Sequence, residues 1–408
     1  MKKLHYLVIC LLVAGLMVGC GTVPREEAPV IQVVEPEPIL PTPVPADKTP
    51  EETEAPVVTE APEGTEDEVV KADTYTIEKR EVVDGMKQSY LTGEWIDAEV
   101  ADRRPMAVML GNNKKLLPQW GLSKASIIYE APVEGRITRL MAIIEDYDDL
   151  DMVGPVRSSR DYYVYEAMAY DAIYCNWGLA IPYVEDLLKS DRIDNISQAL
   201  KGIHNPYSAA FFRRERPGYA TEYTGYMSID GYKDGVAYHG YETEYRGTFE
   251  QAFTFANDGW VAEYADHEGA TVIYPGGTSN NRSGNGSNEG NNPYFVYNEE
   301  DGLYYRYQFG AEHIDEMNGE QLAVSNVVFK ICTGEPRDPN DYLVFNLHGS
   351  GDAVVFTNGK VIEGTWSRDG DNGANMFYDE KGKEIVFNQG KTWICCIWAD
   401  YTDCMYWN

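Results

Sequence analysis

A stretch from residue 21 to residue 72 restricts where this chain can fold. Much of it reads "PEPILPTPVPADKTPEETEAPVVTEAPEGTEDE", and the whole stretch carries 13 acidic against 3 basic residues without a sustained apolar period. Such a composition cannot bury enough apolar surface to offset the entropy that is lost when the chain becomes ordered. We therefore predict a disordered stalk over 21–72, and a folded body in the residues that follow it.

The N-terminus has the features of an export signal. Lys2 and Lys3 precede an uncharged run from Leu4 to Gly19, which is shorter than the roughly 20 residues that span a bilayer. The run ends in "LMVGC", which resembles the lipobox of bacterial lipoproteins. We predict a signal peptide over 1–20, lipid attachment at Cys20, and an extracytoplasmic protein whose partner is the membrane. The alternative is a plain secretory signal in which Cys20 is incidental.

Composition excludes several classes of function. A formal net charge of -32 repels the phosphates of nucleic acids, so we expect no nucleic-acid partner. The sequence contains no Walker-type loop, no G-x-S-x-G and no H-E-x-x-H, and its histidines are scattered, so we expect no metal and no cofactor. Buried free thiols are favoured over a disulfide from Cys332 to a C-terminal cysteine; the cysteines of the body are Cys175, Cys332, Cys395, Cys396 and Cys404.

Apolar runs alternate with helical periods between residues 104 and 245. The runs "PMAVML", "ASIIYE", "TRLMAII" and "DAIYCNW" predict strands, whereas "SSRDYYVYEAMAY" and "PYVEDLLK" predict helices. Strands that alternate with helices are typical of a layered α/β domain with a largely parallel sheet. We predict such an N-terminal domain over 104–245, preceded by a connecting segment over 73–103.

The apolar period changes to two in the C-terminal part, 246–408. "NPYFVYNEEDGLYYRYQF" predicts a hairpin, and Asn358-Gly359 is a strong signal for a two-residue turn. We predict a mostly antiparallel β domain, with the low-complexity stretch 276–292 as a flexible surface loop. The fold class expected for the whole chain is therefore α+β.

The stretch "GPVRSSRDYY" concentrates positive charge at a predicted helix start. Ser158 and Asp161 have the spacing of a capping box, and Arg157 and Arg160 flank the end of the helix where unpaired N–H groups favour an anion. In the preceding strands, Glu130 and Glu134 close one strand and Arg139 opens the next. The candidate ligand-binding residues are Glu130, Glu134, Arg139, Arg157, Ser158 and Arg160.

Two other interpretations of these residues remain open. Five acidic residues lie in "EDYDDLD", residues 145–151, and Arg157 and Arg160 would neutralise that loop, while Glu134 would pair with Arg139. Alternatively, Glu130 and Glu134 form the carboxyl pair of a glycan hydrolase or transferase, which requires both groups in an open cleft.

Several long segments resemble the YerB-type lipoproteins, a family of unknown function. They include "PQWGLSKASIIYEAPVEGRITRLMAII", "GPVRSSRDYYVYEAMAYDAIYCNWG", "YRYQFGAEHIDEMNGEQLAVSNVVF" and "GSGDAVVFTNGKVIEGTWSR". The resemblance covers about residues 104–397, and it implies a secreted, lipid-anchored, two-domain protein of Gram-positive-type bacteria. It implies no activity. Relatives tend to carry a histidine and an asparagine after an Arg-Pro-like stretch, where this chain reads "RPGYATEYTGY".

These observations favour a non-enzymatic protein that binds an anionic glycan or peptide of the cell wall through its arginines. The hydrolase or transferase that uses Glu130 and Glu134 is one alternative, and no catalytic residue is identified beyond that pair. A scaffold for other extracellular proteins is another, and it would show an exposed apolar patch.

Overall fold

The computed structural model describes residues 71–181, 183–198, 206–276 and 291–408, without the side chain of residue 136. The predicted signal peptide, Cys20, the stalk as far as residue 70 and loop residues 277–290 lie outside the described residues. Residues Glu66–Asn408 form one compact unit.

Short strands make up most of the regular structure in the part of the chain described. The strands before residue 230 are β1 (Met86–Gln88), β2 (Trp95–Asp97), β3 (Met106–Gly111), β4 (Ile127–Val133), β5 (Ile137–Ile144), β6 (Met152–Val153), β7 (Ile173–Asn176), β8 (Asn195–Ser197), β9 (Phe211–Arg213) and β10 (Gly225–Ser228). The later strands are β11 (Thr254–Phe255), β12 (Val272–Tyr274), β13 (Tyr294–Asn298), β14 (Leu303–Gln308), β15 (Ala311–Glu312), β16 (Ala323–Val324), β17 (Asn326–Cys332), β18 (Gly334–Pro336), β19 (Leu343–Phe345), β20 (Gly349–Thr357), β21 (Lys360–Arg368), β22 (Met376–Asp379), β23 (Val386–Phe387), β24 (Thr392–Trp398) and β25 (Tyr406–Trp407).

The helices are short. They are α1 (Ala98–Ala101), α2 (Asp161–Met168), α3 (Glu185–Lys189) and α4 (Ile229–His239). The strands predicted in the N-terminal part correspond to β3, β4, β5 and β7, and the predicted helices correspond to α2 and α3. None of the helices among the described residues is long and apolar enough to cross a membrane.

One ten-stranded sheet contains strands from both predicted domains. Its order is β22-β21-β20-β17-β24-β4-β5-β3-β7-β8. The two parts meet where β24 pairs in parallel with β4, so that Thr392 lies opposite Ile127 and Cys395 lies opposite Glu130. The predicted boundary between residues 245 and 246 therefore separates two segments of the chain that share a single sheet.

The prediction of a layered α/β domain with a largely parallel sheet is not confirmed. Strands β4 and β5 pair antiparallel, as do β5 and β3, and parallel pairing in this part is confined to β3–β7 and β7–β8. Only residues 134–136 connect β4 to β5, and Gly135 adopts a φ of 74° in this turn. So short a connection allows an antiparallel hairpin, whereas a parallel pair needs a crossover of a dozen or more residues.

The C-terminal part contains the two predicted hairpins. Strands β13 and β14 pair antiparallel from Asn298 opposite Leu303, and β20 and β21 turn at Asn358-Gly359. Strands β15, β14, β13, β12 and β25 form a second sheet, which β16 joins through β14.

Two apolar cores cover the two faces of the ten-stranded sheet. Side chains alternate between the faces of a strand, so Tyr129 packs in the core beneath helix α2, and Ile128 packs in the core beneath the second sheet. This alternation determines on which face each candidate site residue lies.

Candidate anion-binding site

The segment around Arg157 runs across the carboxyl ends of two parallel strands, β3 and β7. The backbone N–H of Arg157 donates to the carbonyl of Met109 at 2.8 Å, and the N–H of Trp177 donates to the carbonyl of Arg157 at 3.1 Å. The carboxyl edge of parallel strands is where ligands of open α/β sheets bind. "GPVRSSRDYY" therefore lies at an edge that suits a ligand, although the sheet is mixed rather than parallel.

Arg139 lies almost buried at this edge, near the start of β5. Its side chain donates through Nη1 to the backbone carbonyl of Ser158 at 2.7 Å, and the residue is 8% exposed. Burial, and then the positive charges of Arg160 and Arg157, lower the pKa of Arg139 to about 9, against the opposing effect of Glu134. The surroundings of Arg139 thus disfavour its charge, and a further anion would favour it.

Arg157 and Arg213 both hold the turn between β9 and β10. Arg157 donates through Nη1 to the carbonyl of Glu222 at 2.7 Å, and Arg213 donates through Nη1 to the carbonyl of Thr221. The Arg213 guanidinium stacks on the ring of Trp177, 3.9 Å from its centroid. Burial lowers the pKa of both arginines. For Arg157, the charge of Glu222 opposes this lowering of the pKa, and the charges of Arg160 and Arg213 add to it.

These arginines differ from the others in their lack of a carboxylate. Among the arginines whose side chains the structure describes, Arg139, Arg157 and Arg213 make no ion pair within 4.0 Å. The paired arginines are Arg80, Arg103, Arg104, Arg160, Arg192, Arg214, Arg216, Arg246, Arg306, Arg337 and Arg368. We name Arg139, Arg157, Arg160 and Arg213 the arginine cluster.

Glu134 is the carboxylate that the structure pairs with this cluster, through Arg160. Arg160 donates through Nε to one oxygen of Glu134 at 2.8 Å and through Nη2 to the other. Although burial opposes the charge of Arg160, Glu134 raises the pKa of that arginine. The predicted pair of Glu134 with Arg139 is wrong, because the Glu134 carboxylate bonds Arg160 instead.

Glu130 does not belong to the arginine cluster. It follows Tyr129 by one residue in β4 and therefore points to the opposite face, where it is fully buried. Its carboxylate accepts hydrogen bonds from Asn112 at 3.0 Å, Thr138 at 2.8 Å, Arg306 at 2.8 Å and Trp393 at 3.0 Å. Glu130 is a structural residue between the two sheets.

Ser158 contributes its backbone rather than a helix cap. Helix α2 begins at Asp161, its N-cap residue is Arg160, and no side chain caps it. Asp161 instead pairs with Arg337 at 2.8 Å. The predicted capping box between Ser158 and Asp161 is therefore wrong, and the carbonyl of Ser158 serves to hold Arg139.

The acidic loop 145–151 does not use the arginines of the cluster. Asp148 pairs with Arg103 at 2.8 Å and with Lys233 at 2.7 Å. Glu145 accepts hydrogen bonds from the hydroxyls of Ser89 and Ser126, each at 2.7 Å. The interpretation in which Arg157 and Arg160 neutralise this loop is therefore wrong.

The sequence contained a signal for the residue that we missed. Arg213 belongs to "FFRRERPGY", which places three arginines within four residues of a strongly acidic chain. Its position next to Arg157 depends on the pairing of β9 with β10, which only the structure shows. Trp177 follows directly after β7, so it also lies at the carboxyl edge of the sheet.

Comparison with known proteins identifies the family of this chain. DUF3048 is a family of proteins of unknown function, and the family model of its N-terminal domain matches residues 91–242. The family model of its C-terminal domain matches residues 285–394. The chain belongs to the DUF3048 family. This membership agrees with the resemblance to YerB-type lipoproteins, and it assigns no activity.

A relative of known structure supports the same conclusion. The chain is 29% identical over 308 residues to the Bacillus subtilis (strain 168) protein named "Putative lipoprotein YerB", a match that covers 74% of this chain and 84% of the relative. The crystal structure of the YerB protein from Bacillus subtilis matches with a TM-score of 0.63 and 28% identity, over 78% of this chain and 98% of that one.

The geometry of this DUF3048 protein does not fit a hydrolase that uses Glu130 and Glu134. Glu130 is inaccessible to a substrate, and both glutamates bond arginines. Within the described ranges, no group of three His, Cys, Asp or Glu side chains is arranged to hold a metal ion. What the arginine cluster offers chemically is a set of fixed hydrogen-bond donors with positive charge.

Proposed function

We propose that this DUF3048 protein is a non-enzymatic envelope protein that binds an anionic group of a cell-wall glycan or peptide at the arginine cluster. One observation carries the proposal: Arg139, Arg157 and Arg213 lack a carboxylate within 4.0 Å, whereas the other described arginine side chains have one. In a chain with a formal net charge of -32, carboxylates are abundant, so three neighbouring unpaired arginines need another explanation.

The energetics of the cluster favour an added anion. Arg213 is exposed, but Arg157 is half-buried and Arg139 is almost fully buried. A buried guanidinium without a counter-ion loses hydration, and a carbonyl acceptor replaces that hydration only in part. Arg139 is the extreme case, because burial and two neighbouring arginines lower its pKa to about 9. A phosphate or carboxylate bound here would offset that repulsion, and guanidinium groups bind both bidentately.

The arginines are held in place before any ligand arrives. Arg139 is fixed by the carbonyl of Ser158, Arg157 by that of Glu222, and Arg213 by that of Thr221 and by the ring of Trp177. Side chains that are already ordered lose little rotamer entropy on binding. Preorganisation of this kind is expected of a binding site, whereas a purely structural role would gain nothing from it.

The N-terminal sequence supports a place in the cell envelope for this function. A signal peptide and lipid attachment at Cys20 would tether the chain to the outer side of the membrane. The stalk over 21–72 would then give the body a reach of about 40 Å as a flexible chain. The body would thereby meet the anionic polymers and peptides of the wall.

Binding of the compact unit, residues 66–408, to purified cell walls tests the proposal. The double variant Arg157→Gln/Arg213→Gln should bind at least about tenfold more weakly, since each hydrogen bond between charged groups contributes about 1.5–3 kcal/mol. Inorganic phosphate and acetate, added as competitors, would indicate which anion the cluster prefers.

The matched control is Arg192→Gln/Lys233→Gln, which removes the same charge from two exposed side chains outside the cluster. This control should bind like the wild type. Equal binding by the wild type and the Arg157/Arg213 variant, with both folded, would contradict the proposal.

A further inference from the structure

A second charged group lies in the interior, on the face of the sheet that helix α2 covers. Lys330 of β17, Asn375 just before β22 and Glu166 of α2 are all fully buried. The amine of Lys330 lies 2.7 Å from Oε1 of Glu166 and 2.6 Å from Oδ1 of Asn375. Asn375 donates through Nδ2 to Oε2 of Glu166 at 2.8 Å. Each of the three side chains therefore contacts the other two.

The orientation of the Asn375 amide follows from its partners. A lysine amine only donates hydrogen bonds here, and an ionised carboxylate only accepts them. The amide oxygen must therefore face Lys330, and the amide nitrogen must face Glu166. This arrangement brings a primary amine to the carbonyl side of an amide, with a carboxylate in contact with both nitrogens.

The surroundings exclude water and supply a proton acceptor. The ring of Trp366 lies 4.4 Å from the amine of Lys330, and Arg368 lies 3.5 Å from the Glu166 carboxylate. Burial alone would raise the pKa of Glu166, but Lys330 and Arg368 outweigh it and lower that pKa. Glu166 is therefore the ionised acceptor in contact with the Lys330 ammonium. The charge of Lys330, the largest effect that lowers the pKa of Glu166, disappears when the proton is transferred.

We propose that Lys330 and Asn375 are the site of an intramolecular isopeptide bond. Glu166 takes a proton from the Lys330 ammonium, and the free amine attacks the amide carbon of Asn375. The bond between Lys330 Nζ and that carbon forms, the bond from the carbon to Asn375 Nδ2 breaks, and the amine gives up a second proton to the leaving nitrogen. Ammonia leaves and Glu166 remains protonated, so the exchange needs no oxidant, reductant or co-reactant.

The position of the three groups favours this reaction over the same reaction in water. Holding two reactants in contact removes much of the entropic barrier to their combination. A buried site also withholds the water that would compete for the amide carbon. The product would link β17 covalently to the segment that precedes β22, across 45 residues of chain.

Peptide mapping of the purified full-length protein tests the proposal. Trypsin does not cleave after an acylated lysine, so the digest should contain one branched peptide that joins Lys330 to Asn375. Its mass should equal that of residues 307–337, uncleaved at Lys330, plus that of residues 369–381, less one ammonia. Cleavage after Lys330, together with a separate peptide 369–381 that carries an intact Asn375, would overturn the proposal.

Three variants define the chemistry. Lys330→Met and Glu166→Gln should each abolish the branched peptide, because one removes the nucleophile and the other removes the proton acceptor. Asn372→Ala should retain it, and this variant controls for the ammonia that Asn372-Gly373, in the same tryptic peptide as Asn375, releases when it cyclises. A branched peptide in Glu166→Gln at the wild-type level would overturn the role of Glu166. The wild-type digest decides the existence of the bond even if a variant fails to fold.

Discussion

Charged side chains in the interior of the sheet differ in their partners from those at its carboxyl edge. In the interior, Glu130 bonds Arg306 and Glu166 bonds Lys330, so these two fully buried carboxylates have basic partners at 2.7–2.8 Å. At the edge, the guanidinium of Arg157 bonds one backbone carbonyl, that of Glu222, and no carboxylate within 4.0 Å. A buried charge without a partner costs several kcal/mol, whereas a charge near solvent costs much less. Unpaired charge is therefore tolerated at the edge, and there it becomes available to a ligand.

The largest effect is expected where the interior pairing is broken. Glu130→Ala leaves the Arg306 guanidinium fully buried beside two rings, those of Phe295 and Trp393, without its counter-ion. Loss of one partner of a buried pair costs about 3–5 kcal/mol of the free energy of unfolding. Denaturant unfolding of the compact unit would measure the loss.

The double variant Glu130→Met/Arg306→Met is the control for that experiment. Since apolar residues of similar volume often replace a buried pair at little cost, it should recover much of the lost stability. A single variant that loses less than about 1 kcal/mol would show that Arg306 reaches water when its partner is removed.

A buried acid without a basic partner provides the next test. Glu145 is 3% exposed and is bonded by the hydroxyls of Ser89 and Ser126, and burial raises its pKa to about 7. A raised pKa in the folded state means that the stabilisation is complete below the unfolded pKa, near 4.5. It is lost as the pH rises through about 7. The free energy of unfolding should fall by about 3 kcal/mol between these limits.

Unfolding of the wild type and of Glu145→Gln at several pH values would isolate this contribution. The difference between the two proteins should change most between pH 4.5 and 7, and the variant should show a flatter profile. A constant difference over this range would mean that Glu145 titrates normally in the folded protein.

The sequence was sufficient to predict individual strands and helices, but it was not sufficient to predict how the strands pair. Apolar runs located β3, β4, β5 and β7, and Asn-Gly located the β20–β21 turn. The direction of β5 was missed because a three-residue connection was not recognised as a hairpin turn. The pairing of β4 with β24 joins residues 127 and 392, and no local pattern reports contacts of that separation.

The candidate site shows the same limit. Arg139, Arg157 and Arg160 were predicted to lie at one edge, since strand ends and a helix start meet there. Glu130 was assigned to the same edge, but a shift of one residue in a strand reverses the face, and the position of its partner Arg306 depends on the second sheet. Arg213 was missed because its hairpin docks on Arg157 through tertiary contacts.

Removal of Glu134 should increase the difference between the paired charges of the interior and the unpaired charges of the edge. Glu134→Gln removes the carboxylate that pairs with Arg160, so all four guanidinium groups of the arginine cluster would then lack a carboxylate partner. Because the pair lies partly at the surface, we expect a loss of about 1–2 kcal/mol in the free energy of unfolding. Affinity for inorganic phosphate should rise several-fold, as titration calorimetry would show. Unchanged or weaker phosphate binding would mean that Glu134 positions the arginines rather than competing for them.

The smallest effect on stability is expected at Arg157. Its guanidinium donates one hydrogen bond, to the carbonyl of Glu222, so Arg157→Ala should cost only about 0.5–1.5 kcal/mol. Arg160→Ala should cost more, because it leaves the Glu134 carboxylate without its partner. The two variants remove the same charge from residues three apart in the chain, and denaturant unfolding compares them directly. If Arg157→Ala were the more destabilising, its charge would serve the fold, and the case for an anion at this edge would rest on Arg139 and Arg213 alone.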